Sequence, residues 1–542
     1  MKKIITLFAF VAVVLLFIVF VSYTISNNET TGAIDEVSKE VVEEVVEEVV
    51  IPEPAEGGTL KVAINDPASL NPLVNKDESI DLLLQLVFDG LVSLDQNQKP
   101  QVNLANSVEA SVNGTYLTVT LKPEVYWHDG EVFTADDVVF TIETLKALGG
   151  ESMYAKSIEN ISYANVIDDN TVEIVLKQAY SGYLYGLTFP IIPEHIYQGE
   201  DMLTTEKNMT PIGTGSYIFE AYTPMQDVSL TKNNNWHGGY VYINNVSAII
   251  TRDEAAKINS LEANITNALY TSQVDWSKFT SNENWQVNEF STYYYDFVGF
   301  NFNHALLQDK DLRQALVYSV NREEIVNEYL MGFGTVTETP IHPDSWLNTS
   351  ELAVYAYNIN KASEILLKEG WADSDNDGIL EKGNDKLSLE MIVSNSDPAR
   401  LAIANAIKED LAEVGIEVII TPLDSAAFYA RIEADDFDLF YGGWNLSPIV
   451  DLTFAFGTNA TGNYINYSSA TMDELLANAF KAMDEITMKN EYAALIEYIQ
   501  SEVPYMSLFF RENALVTSDI YGEIEPSPNN IYDSIENWYI AE

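Results

Sequence analysis

From Gly57 to the C-terminus, strand-like and helix-like stretches alternate, and this limits the chain to an α/β architecture, or to α+β with large lobes. Thr59-Leu60-Lys61-Val62-Ala63-Ile64 reads as a strand, with Pro67 and Pro72 punctuating the loop behind it. Tyr116–Leu121 and Thr171–Leu176 alternate apolar and polar residues with the period of a half-buried strand. Thr134 is placed to cap a helix running to about Leu148, with Asp136 and Asp137 at its positive end. Helices are predicted over Asp309–Leu316, Arg322–Leu330, Ala362–Gly370 and Arg400–Val414. Gly415 ends the last of these, and Ile416–Thr421 returns as a strand. No period of 20–50 residues recurs, which argues against a solenoid or propeller.

Composition narrows the function. The 542 residues contain no cysteine, which excludes disulfides, thiolate metal sites and a cysteine nucleophile. Lys and Arg number 28 against 82 Asp and Glu, a net charge of −54 that would repel a phosphate backbone, so no nucleic-acid partner is expected. Two readings of that charge stand at this point: solubility, or attraction of cationic ligands. No His-Glu-x-x-His, Gly-x-Ser-x-Gly, Walker loop or dinucleotide fingerprint occurs, so no enzyme is expected and an exported hydrolase is a remote alternative.

Lys2 and Lys3 precede an apolar run from Ile4 to Val21 that Thr6 alone interrupts. With Ser22 and Tyr23 it would span about 30 Å as a helix, enough to cross a bilayer. Residues 1–26 are therefore expected to form an N-terminal transmembrane helix holding the body outside the cell, or else a cleaved signal with a secreted or periplasmic product. Residues 27–56 read as a stalk: ten acids oppose Lys39, Val-Val-Glu-Glu recurs, and Pro52 and Pro54 forbid a continued helix.

Tyr126-Trp127-His128-Asp129-Gly130, continuing through Thr134-Ala135-Asp136-Asp137-Val138, resembles the signature of the family 5 solute-binding proteins, which include oligopeptide- and dipeptide-binding components of ABC importers. The resemblance continues at Pro211-Ile212-Gly213-Thr214-Gly215-Ser216-Tyr217, Phe300-Asn301-Phe302-Asn303, Asp311–Leu316 and Asn321–Val326. Gly370-Trp371, Val414–Val418, Phe437-Asp438-Leu439, Gly443-Trp444 and Trp538-Tyr539 follow in family order. It implies a two-lobed periplasmic-binding-protein-like fold with an extra subdomain and a hinge that closes on ligand. Lobe one would combine 57–85, 206–290 and 507–542, the inserted subdomain 86–205, and lobe two 291–506. Ser291–Tyr295 and Ser507–Arg511 would be crossovers. The implied partners are a peptide ligand and ABC permease subunits, with a monomeric receptor. An oligosaccharide or metal chelate as ligand, or a ligand sensor, are the alternatives.

A peptide receptor has to hold a main chain while tolerating many side chains, which strand addition beside roomy, hydrated pockets achieves. The stretch matching the family's clamp is Tyr441-Gly442-Gly443-Trp444-Asn445-Leu446-Ser447, where the glycines would admit a ligand backbone and Trp444 would wall a pocket. Family peptide receptors place an aspartate three residues after this tryptophan to bind the ligand's amino group. Ser447 stands there instead, and Asp451 is the nearby substitute. Tyr441, Gly443, Trp444, Asn445, Ser447 and Asp451 are therefore candidate contacts, joined by Asn75 in the first loop and by Tyr293 and Tyr294 at the crossover. His128 and Arg313 are expected to serve structure instead.

Asp373-Ser374-Asp375-Asn376-Asp377-Gly378 matches Asp-x-Asp-x-Asp-Gly, so Asp373, Asp375, Asp377, the Ile379 carbonyl and Glu381 make a candidate structural calcium loop. Position twelve is Asn384 rather than a bidentate glutamate, and an acidic hairpin turn is the competing reading. No other cofactor is expected.

Overall fold

Two long strands, Gln286–Phe300 and Tyr505–Thr517, run antiparallel side by side and organise the chain. The computed structural model describes residues 52–272, 276–349 and 355–540, and from Pro54 onward these form one unit. The pair lies at the centre of a seven-stranded sheet ordered Ala268–Thr271, Tyr505–Thr517, Gln286–Phe300, Leu439–Asn445, Ser388–Ser394 and Glu417–Leu423, with Gly334–Val336 added against Tyr505–Thr517. Ser388–Ser394 and Glu417–Leu423 are parallel, so a crossover must join them, and the helix Pro398–Glu413 supplies it. Asp397 caps that helix, Pro398 opens it, and Gly415 at φ +81° turns the chain back.

Alternation along these strands builds two cores at once. Leu439 and Tyr441 face one cluster with Met391 and Val393, while Phe440 and Ile392 face the other with Tyr295 and Phe297. Two smaller sheets share a third core. In one, Gly57–Ile64 lies parallel to Ile243–Ile250, followed by Asp227–Lys232 and Tyr217–Thr223. In the other, Ala105–Ala110, Tyr116–Leu121, Thr171–Leu176 and Ile161–Asp168 pair antiparallel beside the helix Ala135–Leu148. Thr134 and Asp137 close a reciprocal capping box at its start.

The turn motifs lock onto one another. The His128 ring accepts from the Gly213 amide at 3.3 Å and donates to the Gly215 carbonyl at 3.1 Å. A side chain on Gly213 would meet the Val87 carbonyl at 1.8 Å, so only glycine fits where these backbones approach. Arg313, fully buried, donates to the carbonyls of Leu307, Glu502 and Val503, closing the C-terminal end of the helix Glu485–Glu502.

The expectation of this fold plus an N-terminal transmembrane helix is corrected: among the described residues no helix is long and apolar enough to cross a membrane. The run Ile4–Val21 that carried it, and all of the stalk but its last residues, lie outside the described residues.

Asp296, fully buried on the central strand, accepts from Arg400 Nε at 3.1 Å and from Arg511 Nε at 2.6 Å. Arg511 also reaches Asp397 at 3.0 Å, so two carboxylates and two guanidiniums balance. Asp296→Asn removes one charge and leaves two desolvated guanidiniums facing Asp397 alone. Urea unfolding is expected to show a loss of about 3 kcal/mol or more; a loss below about 1 kcal/mol would contradict this account.

Candidate ligand-binding site

The ladder between the two long strands shifts register at two places, between Ser291 and Tyr295 and between Asp296 and Phe297, and the first is the wider. Ser291 pairs with Glu512 and Tyr295 with Phe510, so Thr292, Tyr293 and Tyr294 oppose Arg511 alone. Thr292 Oγ1 holds this bulge by donating to the Arg511 carbonyl at 2.8 Å and accepting from the Tyr294 amide at 3.1 Å. Bulges redirect side chains, and here Tyr293 and Tyr294 turn onto the wall of a cavity of about 1020 Å³. The helix Glu78–Leu84, the loop Asn445–Pro448 and the segment 527–533 line other parts of it.

The strand Leu439–Asn445 pairs along its length with Gln286–Phe300, but its partner on the other side, Ser388–Ser394, reaches only as far as Tyr441. Gly442–Asn445 therefore keeps one edge without a strand partner, and Asn445 lines the cavity. Nearby, Tyr293 donates to Asn529 Oδ1 at 2.8 Å, and Gln85 donates to the Asn529 carbonyl at 3.0 Å. Asn529 Nδ2 and Gln85 Oε1 are left buried without partners, one donor and one acceptor beside the same cavity. Such orphans are costly in a folded protein unless something meets them.

Of the nine sequence candidates, Tyr293, Tyr294, Asn445 and Ser447 line this cavity. Tyr294 sits between charges, its hydroxyl accepting from Arg400 at 2.7 Å and its ring 4.8 Å from the Arg511 guanidinium. Five candidates do not line it. Asn75 is buried in an Asx turn, bonded to the Asp77 backbone in both directions. Tyr441 is fully buried with Arg400 over its ring. A side chain on Gly443 would strike Arg400 Nη2 at 2.1 Å, so that glycine makes room for an arginine from the helix Pro398–Glu413. Trp444 stacks on Phe297 and Tyr464, and Asp451 accepts from the Thr453 amide at 2.9 Å.

The carboxylates in the wall escaped sequence reasoning, and four of them bond to neutral hydroxyls. Glu78 accepts from the Tyr270 hydroxyl at 2.9 Å and Asp81 from the Tyr154 hydroxyl at 2.9 Å. Glu512 accepts from Thr335 at 2.8 Å and Asp533 from Ser527 at 2.6 Å. Burial pushes Asp81 up to about 6, with Glu78 adding to the shift, and pushes Asp533 up to about 7, with Glu536 and Asp95 adding. Burial raises Glu512 as well. Glu78 and Asp81, three residues apart, share the face of their helix opposite Ile80, Leu83 and Leu84, and that spacing is readable in sequence.

In the acidic loop, the carboxylates of Asp373, Asp375, Asp377 and Glu381 lie within 4.8 Å of one another. Lys386 is ion-paired with Asp377 and lies 3.5 Å from Asp375 and 3.8 Å from Glu381. The Asp373 and Asp377 carboxylates accept from the Gly378 and Ile379 amides.

Residues 99–466 match the family described as bacterial extracellular solute-binding proteins, family 5 Middle. The oligopeptide-binding protein AppA of Bacillus subtilis is 27% identical over 506 residues, 90% of this chain and 93% of that one. The structure of that AppA with a nonapeptide aligns at 28% identity and a TM-score of 0.62, covering 90% of this chain and all of its own. NikZ of Campylobacter jejuni, solved with Ni(L-His), aligns at 25% identity and a TM-score of 0.64 over 90% of this chain and all of its own. With a family match over more than half its length, this chain belongs to the family 5 bacterial extracellular solute-binding proteins.

Proposed function

We propose that this protein captures oligopeptides outside the cytoplasm and presents them to the permease of an ABC importer, acting as a monomer and catalysing no reaction. The observation that carries the peptide reading is the unpaired edge Gly442–Asn445 beside a large cavity. An extended ligand can add to such an edge as a strand, taking its main-chain bonds there and leaving its side chains to the cavity. The volume, about 1020 Å³, stands at the top of the roughly 300–1,000 Å³ range of small-molecule pockets. The unmatched Asn529 donor and Gln85 acceptor supply what a peptide group needs, one of each. Two lobes joined by the paired long strands would close on the ligand, with differential affinity for the closed form driving delivery.

Native mass spectrometry of the purified full chain, compared with its denatured mass, tests the ligand class. A heterogeneous excess that fragments into peptides is expected. A single defined excess, or one that appears only on adding a metal chelate or an oligosaccharide, would replace peptides with that class.

The buried acids of the cleft also set a pH dependence. A carboxylate whose folded pKa is raised binds its proton more tightly folded than unfolded, so its contribution to stability is present below about pH 4 and lost as pH rises through the folded value. For Asp533 that loss runs from about pH 4 to about 7. Asp533→Asn keeps an acceptor for Ser527 and removes the titration. Its melting temperature relative to wild type is expected to rise by about 2–3 °C from pH 5 to pH 8 in ligand-free protein. A constant difference across that range would show that Asp533 does not titrate there.

A further inference from the structure

Among the described residues, the cavity wall carries six carboxylates, Glu78, Asp81, Asp89, Asp397, Glu512 and Asp533, and a single cationic side chain, Arg511. Two of the six are compensated within the protein. Asp89 accepts from His237, Thr214 and Asn103, and Asp397 shares Arg511 with Asp296. Arg511 is thereby spent on two acids of the protein itself and is no receptor for a ligand carboxylate. The other four acids lean on neutral hydroxyls, from Tyr270, Tyr154, Thr335 and Ser527.

They come from three separate parts of the chain: the helix Glu78–Leu84, the strand Tyr505–Thr517 and the segment 527–533. Their agreement in sign is therefore not a local run of acids. A wall with low dielectric behind it and one sign of charge concentrates ligands of the opposite sign. A hydroxyl satisfies one lone pair of a carboxylate and leaves its charge unopposed.

Resting on the peptide reading above, we propose that this receptor selects peptides bearing lysine or arginine side chains, with Glu78, Asp81, Glu512 and Asp533 as its specificity determinants. The raised Asp81, Glu512 and Asp533 fit the same account: they are acids held without a counter-ion. A bound ammonium or guanidinium would return them to the charged form, and with four such acids that gain grows with each cationic side chain a peptide adds to its α-ammonium.

The test is titration calorimetry on the full chain, stripped of bound ligand by unfolding and refolding. The probes are nonapeptides of one scaffold with free termini, carrying two lysines, two glutamines or two glutamates at the same positions. The lysine peptide is expected to bind at least about tenfold tighter than the glutamine peptide and the glutamate peptide weakest, with the spread narrowing at high salt. In the double variant Asp81→Asn, Asp533→Asn the lysine-to-glutamate ratio is expected to fall at least about fivefold. A circular dichroism melt confirms that the variant is folded, and the wild-type series stands without it. Equal affinity across the series would overturn the charge selection and leave the peptide reading intact. Binding of none of the peptides would overturn both.

Discussion

The buried Asp296 carboxylate, with a guanidinium on either oxygen, is the constraint on which the rest of the structure depends. It lies on the central strand just past the bulge. Its partners arrive from the opposing long strand and from the crossover helix Pro398–Glu413. Three elements are thereby fixed at the point where the sheet ladder is broken. An ion pair this deep is weak evidence for stability, because desolvation consumes most of its attraction. It is stronger evidence for geometry: each guanidinium bonds in a fixed plane and sets where its neighbours lie. Tyr294, with one arginine bonded to its hydroxyl and another over its ring, takes its position from that network.

The same network decides what the cleft offers a ligand. Arg400 and Arg511 are the cations nearest the bulge, and both are neutralised by Asp296 and Asp397. A positive wall would have suited the carboxyl end of a peptide, but none remains. Outside the cavity lining, the Trp346 indole donates to the Tyr185 hydroxyl at 2.8 Å, with Lys99 and Lys489 each 5.5 Å from its ring. Those lysines are engaged there, and Lys99 also pairs with Glu485. Arg400 and Arg511 are paired with carboxylates of the protein itself, while four of the wall acids have only neutral hydroxyls as partners.

Local chemistry made much of this legible in the sequence. The helix from Thr134, the helix behind Asp397, the Gly415 turn and the alternating strands are set by caps, glycines and periodicity within a few residues, and these fall close to where they were expected. His128 and Arg313 were readable as structural because their motifs place them in a turn and on an apolar helix face. Gly443 was harder. A glycine that admits a ligand and one that admits an arginine from a distant helix look the same in sequence, and only the fold shows Arg400 lying against it. Asn75 misleads for a similar reason: a loop asparagine that closes its own turn resembles one awaiting a ligand. The wall acids were hidden by number, since among 82 carboxylates no four stand out until the chain brings three distant segments together.

That convergence bears on the two readings of the overall charge. Acidity that served solubility alone would be spread over the surface, where each carboxylate is hydrated and costs little. Acids turned into a cleft and raised by burial carry a cost that solubility does not require. Folded proteins retain such local conflicts where function uses them, and the cleft holds two kinds: carboxylates with no cationic partner and an unmatched amide donor and acceptor. A ligand that relieves both has to present main-chain amides and positive charge together. A simple cation lacks the amides, and a peptide with neutral side chains brings only the one charge of its α-ammonium. These uncompensated groups thus discriminate among ligands, because the free energy gained on closure differs with what is bound.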